Sequence, residues 1–90
     1  MTSTNNKSRR YKFCIVLRGN LSVIAGSTMI CVELEGCEDV RKLVEKVFFK
    51  KKMQVSMENI VLVYNNESIG DEVTTCDINM VEAYLMYQGG

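Results

Sequence analysis

Two groups of residues in this chain have types and spacing suited to chemistry: cysteines 14, 31, 37 and 76, and the adjacent glycines 89 and 90 that close it. The cysteines form no Cys-x-x-Cys pair and the chain has no histidine, which excludes a Cys/His zinc site. A histidine-assisted thiol nucleophile would need a partner chain. With no secretory signal, the expectation is reduced thiols in a cytoplasmic protein. Gly89 and Gly90 have no side chains and tolerate almost any backbone angle. They would hand a thin, flexible carboxylate to solvent, fit to thread a narrow cleft. Alone the pair is weak evidence; its weight comes from what precedes it.

The chain has 90 residues, which makes one domain able to bury roughly 60–65% of its unfolded surface. Eleven basic and eleven acidic residues cancel, so there is no basic stripe for nucleic acid or for an anionic membrane. No apolar run approaches a membrane span and no signal-peptide core is present. Residues 1–10, MTSTNNKSRR, are polar and acid-free without an amphipathic face, and are expected to be a disordered tail. Residues 11–88 form the domain and 89–90 a flexible end.

The elements that must position that end follow from periodicity. Residues 11–18 are apolar on both faces in the middle, with Phe13, Ile15 and Leu17 opposite Cys14 and Val16, which suits a central strand. Residues 21–25 predict a turn of helix or an irregular tip. Residues 28–35 alternate, Ile30, Val32 and Leu34 against Met29, Cys31, Glu33 and Glu35, so the two strands form a hairpin with an elaborated connection. Cys14 and Cys31 then lie outward on neighbouring strands. Glu38 and Asp39 place acid at a helix start, and Val40, Leu43, Val44, Val47 and Phe48 form one buried stripe. Arg41, Lys42, Glu45 and Lys46 face out, and Lys50, Lys51 and Lys52 read as a solvated helix end suited to the dipole, with a partner patch as the alternative. Residues 53–58 cross back as a loop.

Residues 59–64 predict a strand with Ile60, Leu62 and Tyr64 inward and Val61 and Val63 outward; Asn65-Asn66 signals a turn. Residues 68–75 carry a short strand at most. Residues 80–87 are the last strand, with Val81, Ala83 and Leu85 inward and Glu82, Tyr84 and Met86 outward. The final strand is expected to insert beside the first, which explains why the first is apolar on both sides. The fold class is α+β: a β-grasp roll whose mixed sheet of four to five strands has one main helix packed across it.

The stretch VELEGCEDVRKLVEKV resembles the second strand and helix of ubiquitin, with Leu34, Val40, Leu43 and Val47 at matching spacing. The long connection between Ile15 and Leu34, and the Asp77-x-Asn79-x-Val81 ending nine residues before Gly90, are similar to the ubiquitin-related modifier and the small subunit of molybdopterin synthase. Asn79 stands where that family usually has a second Asp, and Tyr87-Gln88 precedes the glycines. The arginine-rich approach of ubiquitin is absent.

The resemblance implies a carried substrate and not an enzyme. An E1-like, ATP-dependent activating enzyme would adenylate Gly90, and a sulfur donor would convert the acyl-adenylate to a thiocarboxylate. The sulfur would feed wobble-uridine 2-thiolation by a tRNA thiolation enzyme, with protein lysines as further acceptors through isopeptide bonds. The alternatives are a ubiquitin-type modifier without sulfur chemistry, a molybdopterin-synthase small subunit, or a non-covalent β-grasp interaction module. No cofactor or metal is expected on the chain itself, since ATP is used by the partner, and the cysteines are spectators. The expected state is a cytoplasmic monomer that binds neither nucleic acid nor membrane. Val61, Val63, Tyr84, Met86, Tyr87 and Gln88 are the candidate partner-binding residues, leading to Gly89 and Gly90.

Overall fold

The computed structural model describes residues 10–86. Strand β1 (Tyr11–Leu17) leads through a short helix α1 (Asn20–Ala25) to β2 (Met29–Leu34). The main helix α2 (Val40–Lys50) follows. Then come a 3-10 turn (Met57–Asn59), β3 (Ile60–Tyr64), a two-residue β4 (Glu67–Ser68) and β5 (Met80–Leu85). The five strands form one sheet in the order β2-β1-β5-β3-β4. β5 lies parallel to β1 and antiparallel to β3, so the last strand occupies the middle of the sheet, as its apolar inward face requires. Val81 and Ala83 are fully buried there.

α2 packs its stripe of Val40, Leu43, Val44, Val47 and Phe48 on the inner sheet face, against Phe13, Ile15, Leu62 and Val81. Asp39 caps it: its carboxylate accepts the Lys42 N–H at 3.0 Å, satisfying one of the donors a helix start leaves open. Arg41 does not face out as expected. Its guanidinium donates to the carbonyls of Met57 (2.6 Å) and Ile60 (3.2 Å), holding the 3-10 turn that leads into β3. Asn65 and Asn66 both adopt positive φ (53° and 67°) in a two-residue hairpin between Tyr64 and Glu67, the geometry that matches strand twist. The predicted short strand falls at residues 67–68, with one further isolated bridge from Thr74 to Asp39.

The cysteines correct the expectation of free thiols. Cys14 pairs with Cys31 and Cys37 with Cys76, leaving none free. Cys14 and Cys31 are direct cross-strand partners with Cα atoms 4.0 Å apart. Cys37 and Cys76 join two loops that β-type contacts already hold: Val40 N–H to Val73 carbonyl, Thr75 N–H to Glu38 carbonyl. The hairpin read in the sequence already puts Cys14 and Cys31 on neighbouring strands, whereas the meeting of Cys37 and Cys76 depends on how the loops around α2 fold.

Candidate functional site

Alternation along β3 and β5 throws one set of side chains onto the outer sheet face, away from α2. Val61 stands opposite Tyr84 and Val63 opposite Glu82, while Val16 and Met80 continue the face across β1 and β5. Three of the predicted partner-binding residues, Val61, Val63 and Tyr84, therefore meet. Met29 and Met80, 49% and 40% exposed, enlarge the same face, though the sequence reading did not count either among the partner-binding residues. Met86, 49% exposed, sits just beyond β5, its N–H donating to the Asn59 carbonyl at 2.6 Å. It shares a shallow depression with Ile24, Val55 and Leu85, so it belongs to the end of the molecule where the chain leaves the sheet. Tyr87, Gln88, Gly89 and Gly90 lie outside the described residues, as do residues 1–9.

A polar cluster that sequence reading missed occupies this apolar face. Arg18, just past β1, donates to the Glu82 carboxylate at 2.6 Å, and the Tyr84 hydroxyl donates to the other oxygen at 3.3 Å. The hydrogen bond from Arg18, and then its charge, hold the Glu82 carboxyl below the usual carboxylate range against a partial loss of solvent. The same pairing raises the Arg18 pKa. The available signal was Glu82 itself, a lone acid in an otherwise apolar strand. Arginine, tyrosine and methionine beside half-buried valines compose a surface suited to protein recognition.

Asp77 and Asn79, carried into the reading by resemblance, have structural tasks. The Asp77 carboxylate accepts the Thr74 N–H (2.9 Å) and its hydroxyl (3.2 Å), closing the turn before β5. The Asn79 carbonyl accepts the Cys14 N–H at 3.2 Å, and Val81 is core. Nearby, the Glu38 N–H donates to the buried Thr75 hydroxyl (3.0 Å), which meets the Tyr11 hydroxyl (2.6 Å), which donates to the Gly36 carbonyl. This chain of bonds locks the loops on which Cys37 and Cys76 sit. Among the described residues no three His, Cys, Asp or Glu side chains gather as a metal site, and no helix is long and apolar enough to cross a membrane.

A five-stranded mixed sheet with a central, parallel last strand and one helix across it is the ubiquitin-like β-grasp fold. Two crystal structures of proteins from Haloferax volcanii share it. SAMP1 superposes with a TM-score of 0.66 at 16% identity, over 89% of this chain and 100% of that one. Small archaeal modifier protein 1 gives 0.64 at 14% identity, over 84% and 98%. At such identities the likeness shows the fold. No family model matches the sequence, and no curated protein matches it.

Proposed function

We propose that this protein is a ubiquitin-related modifier that carries sulfur on its C-terminal glycine. The observation that supports this most is positional. β5, pinned between β1 and β3, is followed in sequence by only Met86, Tyr87 and Gln88 before Gly89-Gly90. A rigid strand thus precedes two residues without side chains, the form a carboxylate needs to enter a partner's cleft. An ionised carboxylate is a poor electrophile. The E1-like partner, using ATP, joins Gly90 to AMP and releases pyrophosphate; a donor of sulfide-level sulfur then displaces AMP and leaves a thiocarboxylate. That sulfur replaces the 2-oxygen of wobble uridine on a tRNA thiolation enzyme, which uses a second ATP so that the oxygen leaves on AMP, and water returns Gly90 to the carboxylate. Val61, Val63, Tyr84 and Met86, with Tyr87 and Gln88 beyond them, are the surface on which the activating enzyme docks, with the chain acting as a monomer.

A second reading, conjugation to protein lysines without sulfur chemistry, is favoured by the fold shared with the Haloferax volcanii small archaeal modifier protein 1. Both readings begin with adenylation, so ATP–pyrophosphate exchange by the cognate activating enzyme tests them together. Deleting Gly90 should abolish exchange while the circular dichroism spectrum stays unchanged. Full exchange by the shortened chain would remove both. Loss of wobble-uridine 2-thiolation in cells lacking the protein selects the carrier; normal thiolation with abundant lysine conjugates selects the modifier. Cytoplasmic residence belongs to the carrier reading and carries its own condition: in a reducing compartment both disulfides would be open.

A further inference from the structure

The outward face of α2 breaks its own pattern. Lys42, Glu45 and Lys46 recur at the spacing of a solvated helix stripe, and the next residue along that stripe is Phe49, 83% exposed. No other large apolar side chain among the described residues is as exposed. Three lysines follow it. Lys46 is held by Glu38, but Lys42, Lys50, Lys51 and Lys52 form no ion pair among the described residues.

Backbone bonds fix this tip in place. The Lys52 N–H donates to the Phe49 carbonyl and the Met53 N–H to the Phe48 carbonyl, each at 3.0 Å, a paired closure of the helix end. Lys52 stands there at φ 57°, the left-handed position that glycine usually fills, so a lysine occupies a place that favours no side chain. Phe49 rises between two shallow depressions, one toward Lys52 and Gln54, the other toward Glu45 and Met57, with Val55 lining both. The surrounding main chain is already spent: the carbonyls of Val47, Phe48, Phe49, Ser56 and Met57 all accept bonds within the protein. This surface therefore offers side chains and no row of open backbone groups, so a partner here must satisfy its own main chain internally, as a helix does.

We propose that the tip of α2 docks an acidic amphipathic helix of a partner protein, with Phe49 seated among its aliphatic side chains and its carboxylates facing Lys50, Lys51 and Lys52. Charge complementarity sets the sign of the partner, and an aromatic anchor bordered by charge is the pattern of an interface hot spot. Glu45, beside Phe49 and without an ion pair among the described residues, opposes a phosphate chain or an anionic membrane, whereas a protein can set a neutral residue against it. The protein's own residues 1–9 hold no acid, and α1 holds none either, so neither this tail nor the α1 of a second copy supplies the occupant. The tip is on the helix side of the sheet, opposite the face of Val61, Val63 and Tyr84, so the proposal stands apart from activation of the chain end.

The test is an amide NMR titration of the isotope-labelled full chain with the synthetic peptide Asp-Glu-Leu-Glu-Glu-Leu-Leu-Glu-Ala-Leu-Glu-Glu-Ile-Glu, whose aliphatic residues share one helix face. Shifts should concentrate at residues 42–57 and spare Val61, Val63 and Tyr84, and the peptide should gain helical circular dichroism. Phe49→Ala should weaken binding by about thirtyfold, as expected for an aromatic anchor, and leave thermal unfolding unchanged because the side chain is exposed. Replacing Lys50, Lys51 and Lys52 together by Gln should weaken it by about tenfold, as expected for exposed charge contacts, and covers the case in which loss of Phe49 disturbs the helix end. A peptide with lysines in place of its acids should not bind. No shifts at millimolar peptide, shifts centred on β3 and β5, or unchanged affinity in either variant would overturn the proposal. So would tighter binding at residues 42–57 of oligouridine, or of phosphatidylcholine–phosphatidylserine vesicles, than of the acidic peptide.

Discussion

Glu82 is the residue whose behaviour is most readily measured. Its carboxyl is held below the ordinary glutamate range by the hydrogen bond from Arg18, so the pair contributes stability that is complete above the unfolded-state value and lost as pH falls through the lowered folded value. An NMR titration of the Glu82 side-chain carbon should show the depressed midpoint, and Arg18→Gln should return it to the ordinary range. An unchanged midpoint in that variant would assign the shift to another cause. Because both groups are on the surface, added salt should shrink the shift. Gly26 gives a second single-residue test. It ends α1 in the left-handed region at φ 73°, where its N–H caps the Ser22 carbonyl, and a Cβ there would meet no atom within 4 Å. Gly26→Ala should therefore cost only the backbone term, about 1 kcal/mol in urea unfolding; a neutral change would contradict the assigned conformation.

The elements were legible where a periodic pattern had a single reading. The five apolar positions from Val40 to Phe48 admit one helix face, and Asn65-Asn66 signals a turn, which the structure shows as a two-residue hairpin. β5 was placed beside β1 because residues 13–17 are apolar on both sides. What strand pairing creates was hidden. The Arg18–Glu82 pair joins residues 64 apart, and the Cys37–Cys76 disulfide joins residues 39 apart across the loops around α2; the Cys14–Cys31 neighbourhood was legible from the hairpin, though not its bond. The disulfides carry a prediction of their own. Closing those loops removes unfolded-state entropy worth about 3 kcal/mol for Cys14–Cys31 and about 4 kcal/mol for Cys37–Cys76. Unfolded without reductant, the oxidised protein should show no free thiol. Replacing Cys37 and Cys76 together by Ser should lower the urea midpoint more than replacing Cys14 and Cys31. The reverse order would locate the weaker link at the β1–β2 hairpin.

Taken whole, the molecule is a five-stranded sheet with a helix filling one side. The face at Val61, Val63 and Tyr84 lies on the outer side of the sheet, away from the helix. The core of Phe13, Ile15, Val44 and Val81 ties β1, α2 and β5 together independently of the chain end. Loss of Gly90 should accordingly leave thermal unfolding unchanged. The central claim is chemical: that the carboxylate of Gly90 carries sulfur. Intact-mass spectrometry of the protein isolated from its native cells under non-reducing conditions addresses it directly. A fraction heavier by the difference between one sulfur and one oxygen, localised to Gly90 by fragmentation and lost on hydrolysis, is the expected result. A chain ending uniformly in an unmodified carboxylate, in cells actively thiolating their tRNA, would contradict it.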